Sequence, residues 1–262
     1  KPTLNTEDSF KAKPNRKTEV LNSLLIFNEN ENPKTEVKPQ GLSLLKNLEV
    51  SSLPITNNMS TIEAGVKPEN IKAVKSIPGS HWLGKLASNS NRDVSILIPK
   101  GADFNKPFEV IYHFHGHHGK MDNILTNPTD GLKDSILDKA KNKNIIVVVP
   151  QGPPKEKDYT WMNGKFNEDM EKFQNDTMSL IKNKFSPNIT ISSITVEGHS
   201  AGGRVLMNAA NEGKLTADKV DFLDSSYGTW ASQAYTNHIA KNPNAKFNVV
   251  YIPGTQTQDD AL

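Results

Sequence analysis

A serine held between two glycines is the first arrangement in this sequence that could do chemistry. Residues 193–213 read SITVEGHSAGGRVLMNAANEG, with Ser200 between Gly198 and Gly202. The run before the serine favours a β-strand and the run after it favours a helix. A serine in so tight a strand-to-helix turn is lifted above the carboxyl edge of a sheet, and the residues two before and two after it must be small. We therefore predict that Ser200 is a nucleophile and that Gly198, His199 and Gly202 shape its turn.

A serine nucleophile also needs backbone N–H groups that bind the negative oxygen of a tetrahedral intermediate. The N–H of Ala201 is one candidate, since it follows the nucleophile at the start of a helix. The second donor is expected from the loop in YHFHGHHGK, which ends the third predicted strand. We assign it to the N–H of His117, next to Gly116, and we expect the side chain of His115 to brace the loop.

The same loop permits a different interpretation, a metal site. His113, His115 and His117 alternate along an extended chain, so their imidazoles could share one face and bind zinc. HFHGHH approximates the HxHxDH pattern of binuclear zinc hydrolases, but His117 replaces its aspartate and the distant ligands are not evident. A metal-dependent hydrolase that uses the His113–His118 cluster is therefore an alternative hypothesis, and we predict neither a metal nor another cofactor.

Composition excludes several other classes of protein. The 262 residues include 31 basic and 29 acidic side chains and no cysteine. The charge balance gives no reason to expect nucleic acid as a partner, and thiolate chemistry is impossible. The longest apolar run, Ile145–Val149, is too short to span a membrane.

The first part of the chain differs from the rest. Residues 1–75 contain ten Asn and only two aromatic residues, Phe10 and Phe27. Such a segment buries too little apolar surface to offset the entropy of ordering it. We predict a largely disordered linker or tail over residues 1–76 and a hydrolase domain over residues 77–262. A linker of this kind suggests a modular, exported protein, although composition does not fix the location.

From Ile77 onward the pattern predicts alternating strands and helices. The expected hairpin pairs 80–87 with 92–99, and further strands are expected at 108–116, 144–150, 191–196, 219–226 and 247–253. Helices are expected at 131–144, 165–185 and 229–242, and between Ser200 and Gly213. This order predicts an α/β fold whose central sheet is mostly parallel, with helices on both faces.

The motifs together resemble one superfamily. Residues 78–262 resemble the α/β-hydrolases in three features: a strand ending in HG, a strand ending in PQG, and a helix and strand leading to GHSAGG. The layout is closest to that of esterases and polyhydroxyalkanoate depolymerases. The resemblance implies a Ser–acid–His triad in that chain order, an acyl-enzyme, and a small-molecule or polymer ester (or amide) as substrate.

The resemblance leaves the triad acid open. Asp224 ends the strand after the nucleophile helix, where some members carry the acid. Most carry it after the next strand, which offers Asp259 and Asp260. Thr257 occupies a position where members often have an acid. We favour Asp224, because the end of a buried strand would fix it, and keep Asp259 and Asp260 as alternatives.

The resemblance places the histidine base after the final strand. The seven histidines are His81, His113, His115, His117, His118, His199 and His238. His238 lies in a helical stretch and is not expected to be the base. We expect the catalytic histidine and a last strand beyond Leu262, so that residues 1–262 would be C-terminally incomplete and poorly active. The alternative is a binding module that lacks a triad member.

Aromatic residues accompany two of the predicted loops above the sheet. They could line a substrate site or cover the core. These residues are Tyr159, Trp161, Tyr227, Trp230 and Tyr235.

Overall fold

Eight strands form a single sheet. A computed structural model of the chain describes residues 59–127, 131–153 and 170–261. Across the sheet the strands lie in the order β1-β2-β3-β5-β4-β6-β7-β8. The strands are β1 (Ser60–Ile62), β2 (Gly79–Leu86), β3 (Arg92–Pro99), β4 (Phe108–Phe114), β5 (Ile145–Pro150), β6 (Ile191–His199), β7 (Lys219–Leu223) and β8 (Lys246–Val250).

The pairing of the strands is mostly parallel. β3 runs antiparallel to β2 and to β5, whereas every other pair is parallel. The β2–β3 pair begins at Gly79 opposite Pro99 and closes at Leu86 opposite Arg92. The predicted hairpin and the predicted mostly parallel sheet are therefore confirmed.

Helices connect the strands and cover both faces of the sheet. They are α1 (Pro68–Lys75), α2 (Met121–Thr126), α3 (Lys133–Asn142), α4 (Met170–Lys184), α5 (Gly202–Asn211), α6 (Trp230–Lys241) and α7 (Gln256–Asp259), with one turn of 3₁₀-helix at Ala87–Asn89.

Two apolar clusters show which helices cover which face. The larger cluster joins alternate strand residues such as Tyr112 and Val196 to α4, α5 and α6. The second joins Leu97, Ile111 and Val147 to α1, α2 and α3. Alternate residues of a strand point to opposite faces, so the two clusters lie on opposite sides of the sheet. The predicted helices on both faces are confirmed.

Residues 59–76 add a strand and a helix to the fold. β1 and α1 lie in the segment that the sequence analysis assigned to the tail, yet β1 pairs with β2 and Val74 of α1 is fully buried. Asp93 on β3 holds the start of α1 by accepting hydrogen bonds from Lys67 N–H at 2.9 Å and from Asn70 Nδ2 at 2.8 Å. The folded unit therefore extends at least to residue 59 at its N-terminal side, because this short helix supplies part of the core. Residues 1–58 of the predicted tail lie outside the described residues.

Other predicted elements differ in their bounds. The strand expected at 191–196 continues to His199 and so reaches the serine turn directly, and α2 and α7 were not predicted. The helix expected from 165 is described from Met170, and Tyr159 and Trp161 lie outside the described residues. Within the described parts of the chain, no helix has the length and apolar character that crossing a bilayer requires.

Val74→Ala is expected to destabilise the domain. The substitution leaves a cavity under α1 beside Leu83 and Leu97, and it should lower the free energy of unfolding by ~2 kcal/mol. Urea unfolding measures the difference. Lys72→Ala, on the exposed side of the same helix, should change it by less than about 0.5 kcal/mol. Equal, negligible effects of both variants would show that α1 is not part of the folded unit.

Candidate active site

The backbone at Ser200 is strained. Ser200 lies between β6 and α5 with φ at 50°, the left-handed region that non-glycine residues seldom adopt. Its N–H donates to the carbonyl of Leu223 at the end of β7, 3.1 Å away. The half-buried serine is thus fixed at the carboxyl edge of the sheet. Strain of this kind persists where the surrounding structure enforces it, and it is concentrated at functional sites.

The two glycines of the turn leave room for helix α5. A Cβ atom on Gly202 would collide with the carbonyl oxygen of Phe114, the last residue of β4. A Cβ atom on Gly198 would lie 2.7 Å from the backbone carbon of Gly202. The helix therefore begins directly against the neighbouring strand, and its N-terminus faces the space above Ser200.

The loop after β4 lies against the serine. A Cβ atom on Gly116 would lie 2.9 Å from Ser200 Cβ and 3.1 Å from His199 Nδ1. On the other side of the serine, the N–H of Ala201 donates no hydrogen bond within the described residues. The structure thus brings the backbone next to Gly116 and the N–H of Ala201 to either side of Ser200. Two such donors can bind a negative oxygen that forms there.

His115 connects this loop to the loop after β5. Its Nδ1–H donates to the carbonyl of Gly116 at 2.9 Å, and its Nε2 accepts from the N–H of Gly152 at 2.8 Å. Both bonds require the neutral imidazole. Burial lowers the pKa of His115 to about 4, against the opposing effect of its bond to Gly116. The side chain therefore acts as a neutral brace.

Gln151 holds the same loop from the end of β5. Its Oε1 accepts from the N–H of Met121 at 2.9 Å, and its Nε2 donates to the carbonyl of Gly119 at 3.3 Å. The sequence analysis did not identify Gln151, although it noted the PQG segment. Residues 116–121 are thus fixed at both ends by side chains.

His113 has a partner on the sheet. Its Nδ1 lies 2.9 Å from Glu197 Oε1, and Lys139 Nζ lies 3.7 Å from the other oxygen of this carboxylate. Burial raises the pKa of Glu197, but the charge of Lys139 and the bond to His113 outweigh it and bring the pKa to about 2. The described residues contain no group of three or more His, Cys, Asp or Glu side chains that could hold a metal ion. The geometry gives the metal hypothesis no ligand set, since His113 and His115 bind elsewhere.

Asp224 is fixed at the end of β7. Its φ is 47°, and its N–H donates to the carbonyl of Val250 at 2.6 Å. Its carboxylate Oδ1 accepts a hydrogen bond from Thr257 Oγ1 on α7. Because Ser200 N–H bonds to the adjacent Leu223, the backbones of Asp224 and Ser200 are neighbours at the same edge of the sheet.

The two other acid candidates have different surroundings. Asp260 Oδ2 accepts from the N–H of Gly228 at 2.8 Å and so holds the loop after β7, and Asp259 is exposed. Thr257, which stands where the resemblance suggested an acid, instead orients Asp224. No sequence pattern indicates this contact, because the two residues are far apart in the chain.

No described histidine forms a hydrogen bond with Ser200 Oγ. His238 Nε2 donates to the carbonyl of Ala217 at 2.9 Å, before the start of β7. β7 has five residues, so His238 lies at the opposite edge of the sheet, ~16 Å from the serine turn. His117 and His118 are exposed on the loop beside Ser200, with ring centroids 4.0 Å apart.

Arg204, which the sequence analysis did not identify, lies in the first turn of α5. Its Cζ atom is 5.5 Å from the ring centroid of Trp230, and the ring of Tyr227 meets the Trp230 ring edge-on at 5.4 Å. Tyr235, the third described aromatic residue of the predicted loops, instead packs on Phe247 and is about half exposed.

Comparison with known proteins gives one family match. Residues 86–214 match the family model described as "Putative esterase". This segment contains the loop after β4 and the whole serine turn. No curated protein matches the chain significantly. The family match indicates hydrolysis of an ester as the general activity.

Solved structures with similar folds include three esterases of low identity. A ferulic acid esterase from Anaeromyces mucronatus is 14% identical with a TM-score of 0.40, and the match covers 69% of this chain and 86% of that one. A feruloyl esterase module from Clostridium thermocellum is 17% identical with a TM-score of 0.44, and the match covers 70% of this chain and 67% of that one. A poly(3-hydroxybutyrate) depolymerase from Bordetella parapertussis is 13% identical with a TM-score of 0.38, and the match covers 61% of this chain and 56% of that one.

His115→Gln is expected to weaken the pH dependence of stability. The fold keeps His115 neutral down to its pKa of about 4, whereas the ordinary pKa in the unfolded chain is 6.5. The stabilisation is complete above the higher value and is lost as the pH falls toward the lower one. Between pH 7 and pH 5 this group should lower the free energy of unfolding by ~2 kcal/mol. Urea unfolding at both pH values should show that loss reduced in the variant.

Gln151→Ala is the matched control for this experiment. It removes hydrogen bonds from the same loop without removing a titratable group, so it should lower the free energy of unfolding equally at both pH values. The same loss between pH 7 and pH 5 in the wild type and in His115→Gln would contradict the neutral brace.

Proposed function

We propose that this chain cleaves esters through an acyl-enzyme on Ser200. The premise is that residues 86–214 match an esterase family of the α/β-hydrolase superfamily. One observation carries the proposal. Ser200 is held in a left-handed conformation at the carboxyl edge of the sheet while the backbone of Gly116 lies against its Cβ atom. A strained serine beside a backbone loop is the arrangement that attack on a carbonyl requires.

The reaction follows from these positions. Ser200 Oγ attacks the carbonyl carbon of the ester, its proton passes to a base, and the carbonyl oxygen becomes negative. The N–H groups of Ala201 and of His117 or Gly116 bind that oxygen. The alcohol then leaves with a proton, and water attacks the acyl-enzyme, which releases the acid and restores the serine.

Asp224 is the acid of this proposal. Its backbone is a neighbour of Ser200, and Thr257 donates a hydrogen bond that orients its carboxylate. Asp259 and Asp260 are less suitable, because one is exposed and the other binds Gly228. A buried strand end fixes Asp224 more firmly than a short terminal helix would.

The base of this proposal is a histidine other than His238, which binds Ala217 at the far edge of the sheet. The proposed substrate is a small-molecule or polymer ester.

A second candidate function is a binding module with this fold. It is favoured by one observation, that His238 binds Ala217 away from the serine turn and so is not placed to act as its base. The two candidates differ in the reactivity of Ser200, since a binding module needs no reactive serine.

Ser200→Ala is expected to abolish covalent labelling and ester hydrolysis. A fluorophosphonate probe should label the wild-type protein at Ser200, and hydrolysis of p-nitrophenyl butyrate should fall at least about 10³-fold in the variant. Ser232→Ala, an exposed serine of α6, is the control and should change neither. An Ser200→Ala variant that folds and still hydrolyses the ester would disprove the nucleophile. Absence of both labelling and hydrolysis in the wild type would favour the binding module.

Asp224→Asn is expected to lower kcat about 10³-fold or more, because an amide cannot hold and stabilise a charged imidazole as a carboxylate does. Asp259→Asn and Asp260→Asn are the matched controls and should leave kcat within a few-fold of the wild type. Steady-state kinetics on one ester separates the three candidates. A large loss of kcat in either control, with Asp224→Asn unaffected, would move the acid to α7.

A further inference from the structure

The first turn of α5 carries a cation for which the described residues supply no anionic partner. Arg204 lies four residues after Ser200. Its Nε atom is buried, with no hydrogen-bond partner, and within the described residues the side chain forms no ion pair. A buried donor without an acceptor is costly, and a water molecule or a ligand can supply the acceptor.

Aromatic rings hold the guanidinium in place. Its Cζ atom lies 5.5 Å from the centroid of the Trp230 ring, and Tyr227 packs edge-on against that ring at 69°. Contact with an aromatic ring fixes a guanidinium while leaving N–H groups at its edge able to bind oxygen atoms. A pre-ordered arginine of this type binds a carboxylate with two parallel hydrogen bonds.

The cluster formed by Arg204, Tyr227 and Trp230 lies beside the serine turn. Ser225, which begins the loop that carries Tyr227, donates through Oγ to the carbonyl of Gly198 at 2.8 Å. A Cβ atom on Gly203 would lie 2.7 Å from Ser225 Cβ, so this loop packs on the first turn of α5. Long side chains in a helix point back toward its N-terminus, and one turn rises only ~5.4 Å.

We propose that this cluster binds the carboxylate of an anionic ester whose carbonyl lies at Ser200. Arg204 supplies the two parallel N–H groups, and Trp230 keeps the guanidinium in position. The acidic side chain that follows α7 does not compete, because Asp260 accepts from Gly228 instead. This specificity rests on the proposed esterase function, but binding of the anion can be tested without it.

The experiment compares matched esters that differ in one charge. One pair is the p-nitrophenyl half-ester of glutaric acid and its terminal carboxamide. The other pair is p-butyryloxybenzoate and p-butyryloxybenzamide, which carry the charge on the alcohol side. In at least one pair the wild type should have the higher kcat/KM for the anion, and Arg204→Met should lower the ratio of kcat/KM for the anion to kcat/KM for its neutral partner about 10-fold or more.

Two variants separate charge from packing. Met keeps an apolar stem against Trp230, so the fold should persist, which thermal unfolding checks. Arg204→Lys keeps the charge but loses the fork and should retain part of the preference. Equal loss on charged and neutral esters in Arg204→Met, or no preference in either pair, would overturn the carboxylate site.

A binding measurement keeps this proposal separate from the nucleophile. Calorimetric titration with free glutarate, which contains no ester, should give a dissociation constant at least about 10-fold higher in Arg204→Met than in the wild type. That result supports the carboxylate site even if no ester is hydrolysed or Ser200→Ala stays active. Those two outcomes count against the proposed esterase function alone. If no ester is hydrolysed, glutarate binding that is absent or equal in both proteins overturns the site.

Discussion

The site depends on one steric constraint, the lack of space between helix α5 and the end of strand β4. A side chain on Gly202 would collide with the carbonyl of Phe114, and a side chain on Gly198 would meet Gly202 itself. With both positions reduced to glycine, the helix starts immediately after β6 and forces the intervening serine into a left-handed conformation. The position of the serine hydroxyl, the N–H of Ala201 and the contact with Gly116 are all consequences of this approach.

The sheet beneath the turn has two unlike faces. β5 is apolar at every position because helices cover it on both sides, whereas β7 alternates as KVDFL. Val220 and Phe222 of this strand face α5 and α6. On the other face one row crosses four strands in register: His113, Glu197, Asp221 and Asn248. Burial raises the pKa of Asp221 against the effect of Lys219, while Lys139 compensates Glu197. Buried charges of this kind are tolerated only as pairs, so the polar face is an ordered network beneath the nucleophile strand.

Local signals in the sequence were sufficient for the serine turn and for the alternation of strands and helices. The turn is determined by five consecutive residues, and the periodicity of apolar residues predicts the strands of the sheet. β1 and α1 could not be found in this way, because three residues of strand and a short helix with few apolar positions carry almost no periodic signal. The contacts of the site are similarly invisible. His115 meets Gly152, and Asp224 meets Thr257, through the fold and not through spacing along the chain.

Helix α5 has to satisfy different requirements on its different sides. Its glycines pack against β4 and the loop after β7, which leaves no side chain there to contribute binding energy. The next position along the helix, Arg204, lies outside that packed surface and is the residue to which we assign contact with a substrate. An arginine there lowers stability when nothing binds it, since its Nε atom is buried without an acceptor. Leucine or methionine would pack on Trp230 without that cost. The proposed recognition of an anion accounts for a guanidinium at this position.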